Sequence, residues 1–227
     1  MSGMPGKPRA LPHPKNPPPP PYTSPHLLRD SLHSSPLIQF NKWLAEASDP
    51  NAPTPVREPE AMAISTVSPS GVPSSRFVLL RGVDDRGFVF FTNYTSRKSR
   101  ELAENPNIAI VFYWKEVARQ VRVIGRAEKV EKEISDEYFG GRPRGSQIGA
   151  WASEQSSVIG EKTLKERVEE YEGKFGEGDV QRPEHWGGWR VIPNEVEFWA
   201  GHTSRLHDRF RYLVQPDGSW KVDRLAP

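Results

Sequence analysis

The sequence predicts a mainly β protein with appended helices (α+β), an antiparallel sheet or barrel of roughly six or seven strands interrupted by three or four helices. Three observations carry this. Short runs rich in β-branched and aromatic residues recur along the chain, separated by the turn formers "PSG", "DDRG" and "PDG". Most of these runs follow one another closely, so neighbours in sequence can pair as a meander. The strand-helix alternation of a Rossmann fold is missing, as are GxGxxG and Walker lysine motifs.

Taken in order, residues 1–30 form a proline-rich tail that is expected to be disordered, and residues 31–227 form the folded domain. The first 25 residues hold ten prolines, with Lys7, Arg9 and Lys15 and no acid. Proline lacks an N–H donor and fixes φ, so such a segment packs no core. A transit peptide is the alternative reading of a basic, acid-free tail, but the proline density opposes the amphipathic helix it needs. Ser35-Pro36 opens a helix that places Leu37, Phe40, Leu44 and Ala47 on one face. "AMAISTVS", "RFVLLRGV" and "FVFFTN" are strands, "SRKSRELAENP" is a short helix, and "NIAIVFYW" and "RQVRVIGRAEKV" are two more strands. Helices follow at "EISDEYF" and "TLKERVEEYEGKF", the second with Leu164, Val168 and Tyr171 along one face. The chain then returns to strands in "GGWRVIPNEVEFWAG", "SRLHDRFRY" and "SWKVDRLAP".

Composition narrows the function. A chain of 227 residues carries 31 Lys and Arg against 29 Asp and Glu, so its net charge of +2 makes no general case for nucleic acid. Any anion site must be local. Without cysteine there is no disulfide, thiolate metal site or cysteine nucleophile. The six histidines show no HExxH or other metal spacing, so no metal is expected. Apolar runs such as "IAIVFYW" are strand-sized and no signal peptide is visible, so no membrane association is expected. The expected location is cytoplasmic, with mitochondrial targeting by the tail as the alternative.

Positive charge clusters in four places. Read as a strand, "SRLHDRFRY" puts Arg205, His207, Arg209 and Arg211 on one face and Leu206, Phe210 and Tyr212 on the other. In water such neighbours repel by only about 0.6 kcal/mol, so solvent alone accommodates an exposed row, whereas a buried row needs an anion. Arg76 and Arg81 bracket an apolar run. Ser96, Arg97 and Lys98 start a helix, where free N–H groups favour a phosphate and cations oppose the dipole. "YFGGRPRGSQIGAWASEQSS", residues 138–157, is read as a loop bearing the donors Arg142, Arg144, Ser146, Gln147, Gln155 and Ser156. An ordinary turn or solvated edge accounts for each cluster singly. Four in one domain, with seven tryptophans to cover a flat ring, point to one or two phosphorylated aromatic ligands.

These same stretches, together with "WGGWRV", "VEFWAG" and the ending "RLHDRFRY…WKVDRLAP", resemble the pyridoxine (pyridoxamine) 5′-phosphate oxidase family, in order from about Pro36 to Pro227. The resemblance implies an FMN-binding split β-barrel that forms a homodimer through its C-terminal region. Such an enzyme oxidises pyridoxamine or pyridoxine 5′-phosphate to pyridoxal 5′-phosphate, with O2 as acceptor and H2O2 as product. Carried over by position, FMN would be held by Arg76, Phe77, Val78, Leu79 and Leu80, by Phe91 and Thr92, and by Arg97 and Lys98. Gln120, Gln155, Ser156, Trp199 and Arg209 would complete that site, some from the partner subunit. Arg81, Tyr138, Arg142 and Ser146 would hold the substrate phosphate, while Arg205 and His207 would lie over the substrate ring as the catalytic pair. Arg211 would be merely solvated.

Two departures from the family pattern stand out. Position 81 is arginine where the family has lysine. The "R-x-x-Y" segment that closes over the substrate keeps Tyr22, but Pro19 replaces its arginine, so lid closure is expected to be weaker. These motivate a competing reading, a non-catalytic flavin- or pyridoxal-phosphate-binding relative. The tail could also serve SH3- or WW-type partners alongside either activity.

Overall fold

Alternation of buried and exposed side chains gives the chain strands with one face for a core. In the computed structural model, which describes Tyr22 and residues 25–160 and 162–227, nine strands join in one antiparallel sheet. They are β1 (Ala61–Val67), β2 (Pro73–Leu79), β3 (Gly82–Val83), β4 (Phe88–Asn93), β5 (Asn107–Trp114), β6 (Arg119–Lys129), β7 (Trp186–Ala200), β8 (Asp208–Val214) and β9 (Trp220–Arg224). The order is β2-β1-β5-β6-β7-β4-β3, with β8 paired to β7 and β9 to β8.

Closure is visible at two consecutive amides. Leu80 N–H donates to Glu60 beside β1 at 2.8 Å, and Arg81 N–H donates to Val89 of β4, also at 2.8 Å. Because these partners lie toward opposite ends of the strand order, the sheet curls on itself. Its interior is filled by Met62 and Ile64 of β1, Ile110, Phe112 and Trp114 of β5, Val121 and Val123 of β6, and Val196 and Phe198 of β7. Helix α1 (Pro36–Ser48) lays Phe40, Trp43 and Ala47 on this core, with Phe40 4.9 Å from Phe88 and 4.8 Å from Phe112. Burying a large side chain such as Phe40 stabilises the fold by roughly 1.5–3 kcal/mol.

Strand β7 is the spine. Trp186–Val191 pair with β4, Glu195–Ala200 pair with β8, and β6 runs along the other edge. Pro193 falls between the two partners, where no ladder N–H is required. The register slips opposite Ile124/Gly125, and a Cβ on Gly125 would sit 2.2 Å from the Ile192 carbonyl, so the close approach needs glycine. The remaining helices are α2 (Arg97–Glu104), α3 (Lys132–Gly140), α4 (Arg144–Ala152) and α5 (Leu164–Phe175). A smaller core of Phe139, Ile148, Val180 and Trp186 joins α3 and α4 to β7, and Val168 and Tyr171 of α5 pack against it.

Several expectations are corrected here. Strands number nine and α-helices five among the described residues. Residues 144–152 are helical, not loop, because Ile148, Ala150 and Ala152 bury one face despite the glycines. The opening part of "SRLHDRFRY" is not strand. Ser204 and Arg205 take positive φ of 56° and 61°, and β8 begins at Asp208. Arg205 and His207 therefore do not share a strand face with Arg209 and Arg211, and Leu206 is exposed. Arg211 is not simply solvated, since it pairs with Asp223 at 3.0 Å. Ser35 makes no side-chain cap. Within the tail assigned to residues 1–30, Leu27 is buried in the core and His26 contacts Asp208 at 2.9 Å. Pro19 lies outside the described residues.

Candidate active site

A cavity of about 830 Å³ opens between β2, β4, the start of α2, and α3 with α4. Its basic groups come from separate stretches of sequence. The sheet brings Arg76 and the α2 start side by side, because the β2 register sets Arg76 opposite Ile64 and Ser74 opposite Thr66.

Lys98 is the most informative residue. It is 5% exposed, yet no acidic residue pairs with it among the described residues. Its Nζ donates to Gln155 Oε1 at 2.6 Å, to Thr92 Oγ1 at 3.1 Å and to Ser96 Oγ at 3.3 Å. Burial, and then the nearby Arg76 charge, pull its ammonium down to about 8. A buried cation with only neutral partners is costly and calls for an anion.

Glu101 supports the opposite side of this cluster. It accepts hydrogen bonds from Thr66 and from Ser74 (2.6 Å), pairs with Arg97 at 2.8 Å, and lies 3.6 Å from Arg76. Burial opposes its ionisation, but the Ser74, Thr66 and Arg97 contacts prevail and hold it at about 2. Arg76 is fixed further by Thr66 Oγ1 at 2.7 Å. One carboxylate thus anchors two arginines, leaving the cavity with net positive charge. Sequence reasoning missed Glu101, although its place four residues after Arg97 on a helix was the available signal.

At the other end an aromatic stack presents a second cationic group. Phe91 and Tyr138 lie parallel at 3.9 Å, and Phe91 and Trp186 at 5.6 Å. Gly188 is glycine because a Cβ there would meet Phe91 at 2.9 Å. Arg142 sits 4.6 Å over Trp186, and its buried Nη1 has no hydrogen-bond partner. Burial lowers its pKa, the Tyr138 side chain opposes that, and Arg81 adds to it. Arg81 and Ser146 line the same cavity. Arg144 and Gln147, by contrast, are tied to backbone carbonyls of Gly178 (2.7 Å) and Phe139 (3.0 Å) and serve the fold.

The cavity therefore gathers Arg76, Phe77, Val78, Leu79, Arg81, Phe91, Thr92, Arg97, Lys98, Tyr138, Arg142, Ser146, Gln155 and Ser156. Leu80 is buried in the core instead. Gln120, Trp199, Arg205, His207 and Arg209 do not line it. Four of these form a second patch. Trp199 is registered against Gln120 on one side and Arg209 on the other, and the His207 ring lies 4.6 Å from Trp199. Buried Glu197, also unforeseen, fixes Arg209 at 2.8 Å. The His202 amide donates to His207 Nδ1 at 3.0 Å, which leaves Nε2 as the protonated nitrogen of the neutral ring. Tyr22 approaches the Trp199 and His207 rings edge-on, at 6.0 and 5.9 Å.

Comparison with known proteins bears on this divided arrangement. The profile for pyridoxamine 5′-phosphate oxidase matches residues 49–173, and that for the pyridoxine 5′-phosphate oxidase C-terminal dimerisation region matches residues 186–227. A pyridoxine/pyridoxamine 5′-phosphate oxidase of Nostoc sp. is 50% identical over 207 residues, covering 91% of this chain and 95% of its own. One from Burkholderia mallei is 52% identical over 209 residues, with the same 91% and 95% coverage. Among solved structures, PhzG from Burkholderia lata, in complex with tetrahydrophenazine-1-carboxylic acid, superposes with a TM-score of 0.82 at 33% identity. That match covers 90% of this chain and 99% of PhzG. A pyridoxamine 5′-phosphate oxidase-related, FMN-binding protein of Nostoc punctiforme shares the fold at a TM-score of 0.68 and 14% identity, over 87% of this chain and 99% of its own. The nine-stranded sheet is accordingly a split barrel, and Trp199, His207 and Arg209 of the second patch fall in the dimerisation region. By sequence over nearly its whole length and by fold, the chain belongs to the pyridoxamine 5′-phosphate oxidase family.

Proposed function

We propose that the protein is an FMN-dependent oxidase that converts pyridoxamine or pyridoxine 5′-phosphate to pyridoxal 5′-phosphate, with O2 as acceptor. The carrying observation is Lys98, a buried ammonium with no carboxylate, in a cavity that also holds Arg76 and Arg97. These three residues would hold the FMN phosphate at the start of α2, where free backbone N–H groups add to their charge. The cavity volume of about 830 Å³ lies within the range usual for cofactor sites. When bound, the flavin supplies the hydride acceptor, and the chain's own groups bind and orient.

Those groups divide into two sets. Arg142, with its free Nη1, is suited to a second phosphate, and Arg81, Tyr138 and Ser146 line the space around it. This donor set favours a phosphate ester over an unphosphorylated ring such as the tetrahydrophenazine acid bound by PhzG. The Trp199 patch would complete the site from the other subunit of a homodimer, with Gln120 and Arg209 toward the flavin and Arg205 and His207 over the substrate ring. In His207 the Nδ1 lone pair is engaged by the His202 amide. The neutral ring therefore offers Nε2–H as a hydrogen-bond donor, and its task is to orient. Purified protein tests the reading. Protein-bound FMN together with H2O2 formation on adding pyridoxamine 5′-phosphate supports it, whereas FMN without turnover identifies the non-catalytic relative.

A further inference from the structure

We propose that His26, His202 and Asp208 form a binding site for one divalent transition metal of the zinc class, which fastens the N-terminal segment to the barrel. One ligand atom from each residue lies within 4.8 Å of the other two. His26 Nδ1 is 2.9 Å and His202 Nε2 2.8 Å from the same Asp208 oxygen, Oδ2. Bond lengths of about 2.0–2.2 Å in a tetrahedral zinc site separate neighbouring ligand atoms by about 3.4 Å. The two nitrogen–oxygen edges need to open by only about half an ångström, within the reach of small side-chain rotations, and the nitrogen–nitrogen edge lies within 4.8 Å.

A second observation separates this cluster from an ordinary polar contact. His202 is 7% exposed, and its Nε2 is buried with no hydrogen bond, even though Oδ2 is so near. The nitrogen is close to the oxygen without being aimed at it. Metal ligands around a shared centre behave that way; His26 Nδ1, by contrast, meets Oδ2 in hydrogen-bond geometry and would exchange that bond for the metal. Asp208 is itself held by Arg224, which donates to Oδ1 at 2.7 Å and leaves Oδ2 facing the imidazoles. Orientation of a ligating carboxylate by an outer hydrogen bond is common in metal sites. The Leu27 amide also reaches Oδ2, at 3.1 Å. Two imidazoles and one carboxylate select zinc, nickel or copper over magnesium or calcium, which prefer all-oxygen shells.

The three residues belong to different parts of the chain. His26 lies four residues beyond Tyr22, Asp208 opens β8, and His202 precedes the turn that carries Arg205. A metal ion here would tie the N-terminal segment beside the Trp199 and His207 rings. This assignment stands on the cluster's own geometry and does not depend on the oxidase reading.

The test is calorimetric titration of zinc chloride into the chelator-stripped full chain in a non-coordinating buffer, with magnesium chloride as the comparison. One zinc per chain is expected, with His26→Ala and His202→Ala each weakening it by roughly tenfold or more. His26 is 71% exposed, so its variant tests the site without disturbing the core. A cobalt(II) probe should show ligand-field absorption in the wild type and lose it in both variants. Zinc should also slow proteolysis near the N-terminus of the wild type only. No uptake by the wild type, or uptake equal in both variants, overturns the proposal.

Discussion

Lys98 Nζ lies 2.6 Å from Oε1 of Gln155, a residue 57 positions further on, and neither side chain brings a negative charge to the other. The ammonium is thus held ready but not neutralised. Lys98→Met should weaken FMN binding by about 10- to 100-fold, the loss of one charge-assisted hydrogen bond, as measured by flavin fluorescence titration. Binding should also weaken as pH rises through about 8 in the wild type and lose that dependence in the variant. For the apo-protein the sign reverses. The unfolded chain keeps this proton up to the ordinary value of 10.5 and the folded chain releases it near 8, so this group's contribution to stability rises with pH across that window.

Glu101 should govern acid stability. Its carboxyl is held at about 2 against an ordinary 4.5, so its contribution is complete above 4.5 and is lost as pH falls toward 2. Glu101→Gln leaves Arg76 and Arg97 without their anchor and should cost about 3 kcal/mol at neutral pH in denaturant melts. That difference should shrink below pH 4.5.

Arg142 should separate substrate binding from cofactor binding. Its Nη1 is free inside the cavity while its plane rests on Trp186. Arg142→Lys keeps a charge but loses the planar fork, so KM for pyridoxamine 5′-phosphate should rise by roughly tenfold or more with FMN affinity unchanged. A parallel loss of FMN would place this arginine in the cofactor site instead.

Mixing two variants, each impaired when FMN is limiting, tests whether the cavity and the Trp199 patch meet across subunits. Lys98→Met lies in the cavity and Arg209→Met in the patch. Subunit exchange between them should restore about a quarter of wild-type activity, since half the dimers are mixed and each of those carries one intact site of two. No recovery after exchange, with mixed dimers shown by mass, would mean that each site lies within one chain.

Much of the barrel is legible in the sequence because a half-buried strand must alternate. Met62, Ile64 and Thr66 do so in β1, and Ile108, Ile110 and Phe112 in β5. Where the reading fails, local signals mislead. The glycines and Pro143 around α4 suggest a loop, yet burial of Ile148 outweighs their propensity. The alternating charges of "SRLHDRFRY" continue through a turn with no glycine to mark it, since Ser204 and Arg205 themselves take positive φ. The basic residues of the cavity were found by their charge. Glu101 and Glu197 were not, because burial makes a carboxylate decisive and sequence does not display burial. The contact between His26 and Asp208 spans 182 positions, beyond any local pattern.

The double pairing of β7 has a bearing on synthesis. Until residues 208–224 leave the ribosome, Glu195–Ala200 has β6 on one side and nothing on the other, because β8 and β9 follow β7 in the chain. A nascent or truncated chain therefore carries a raw strand edge ending in apolar Phe198 and Trp199, the kind of surface that joins with other unfinished chains. Premature termination before β8 should yield inclusion bodies rather than a smaller, weaker enzyme.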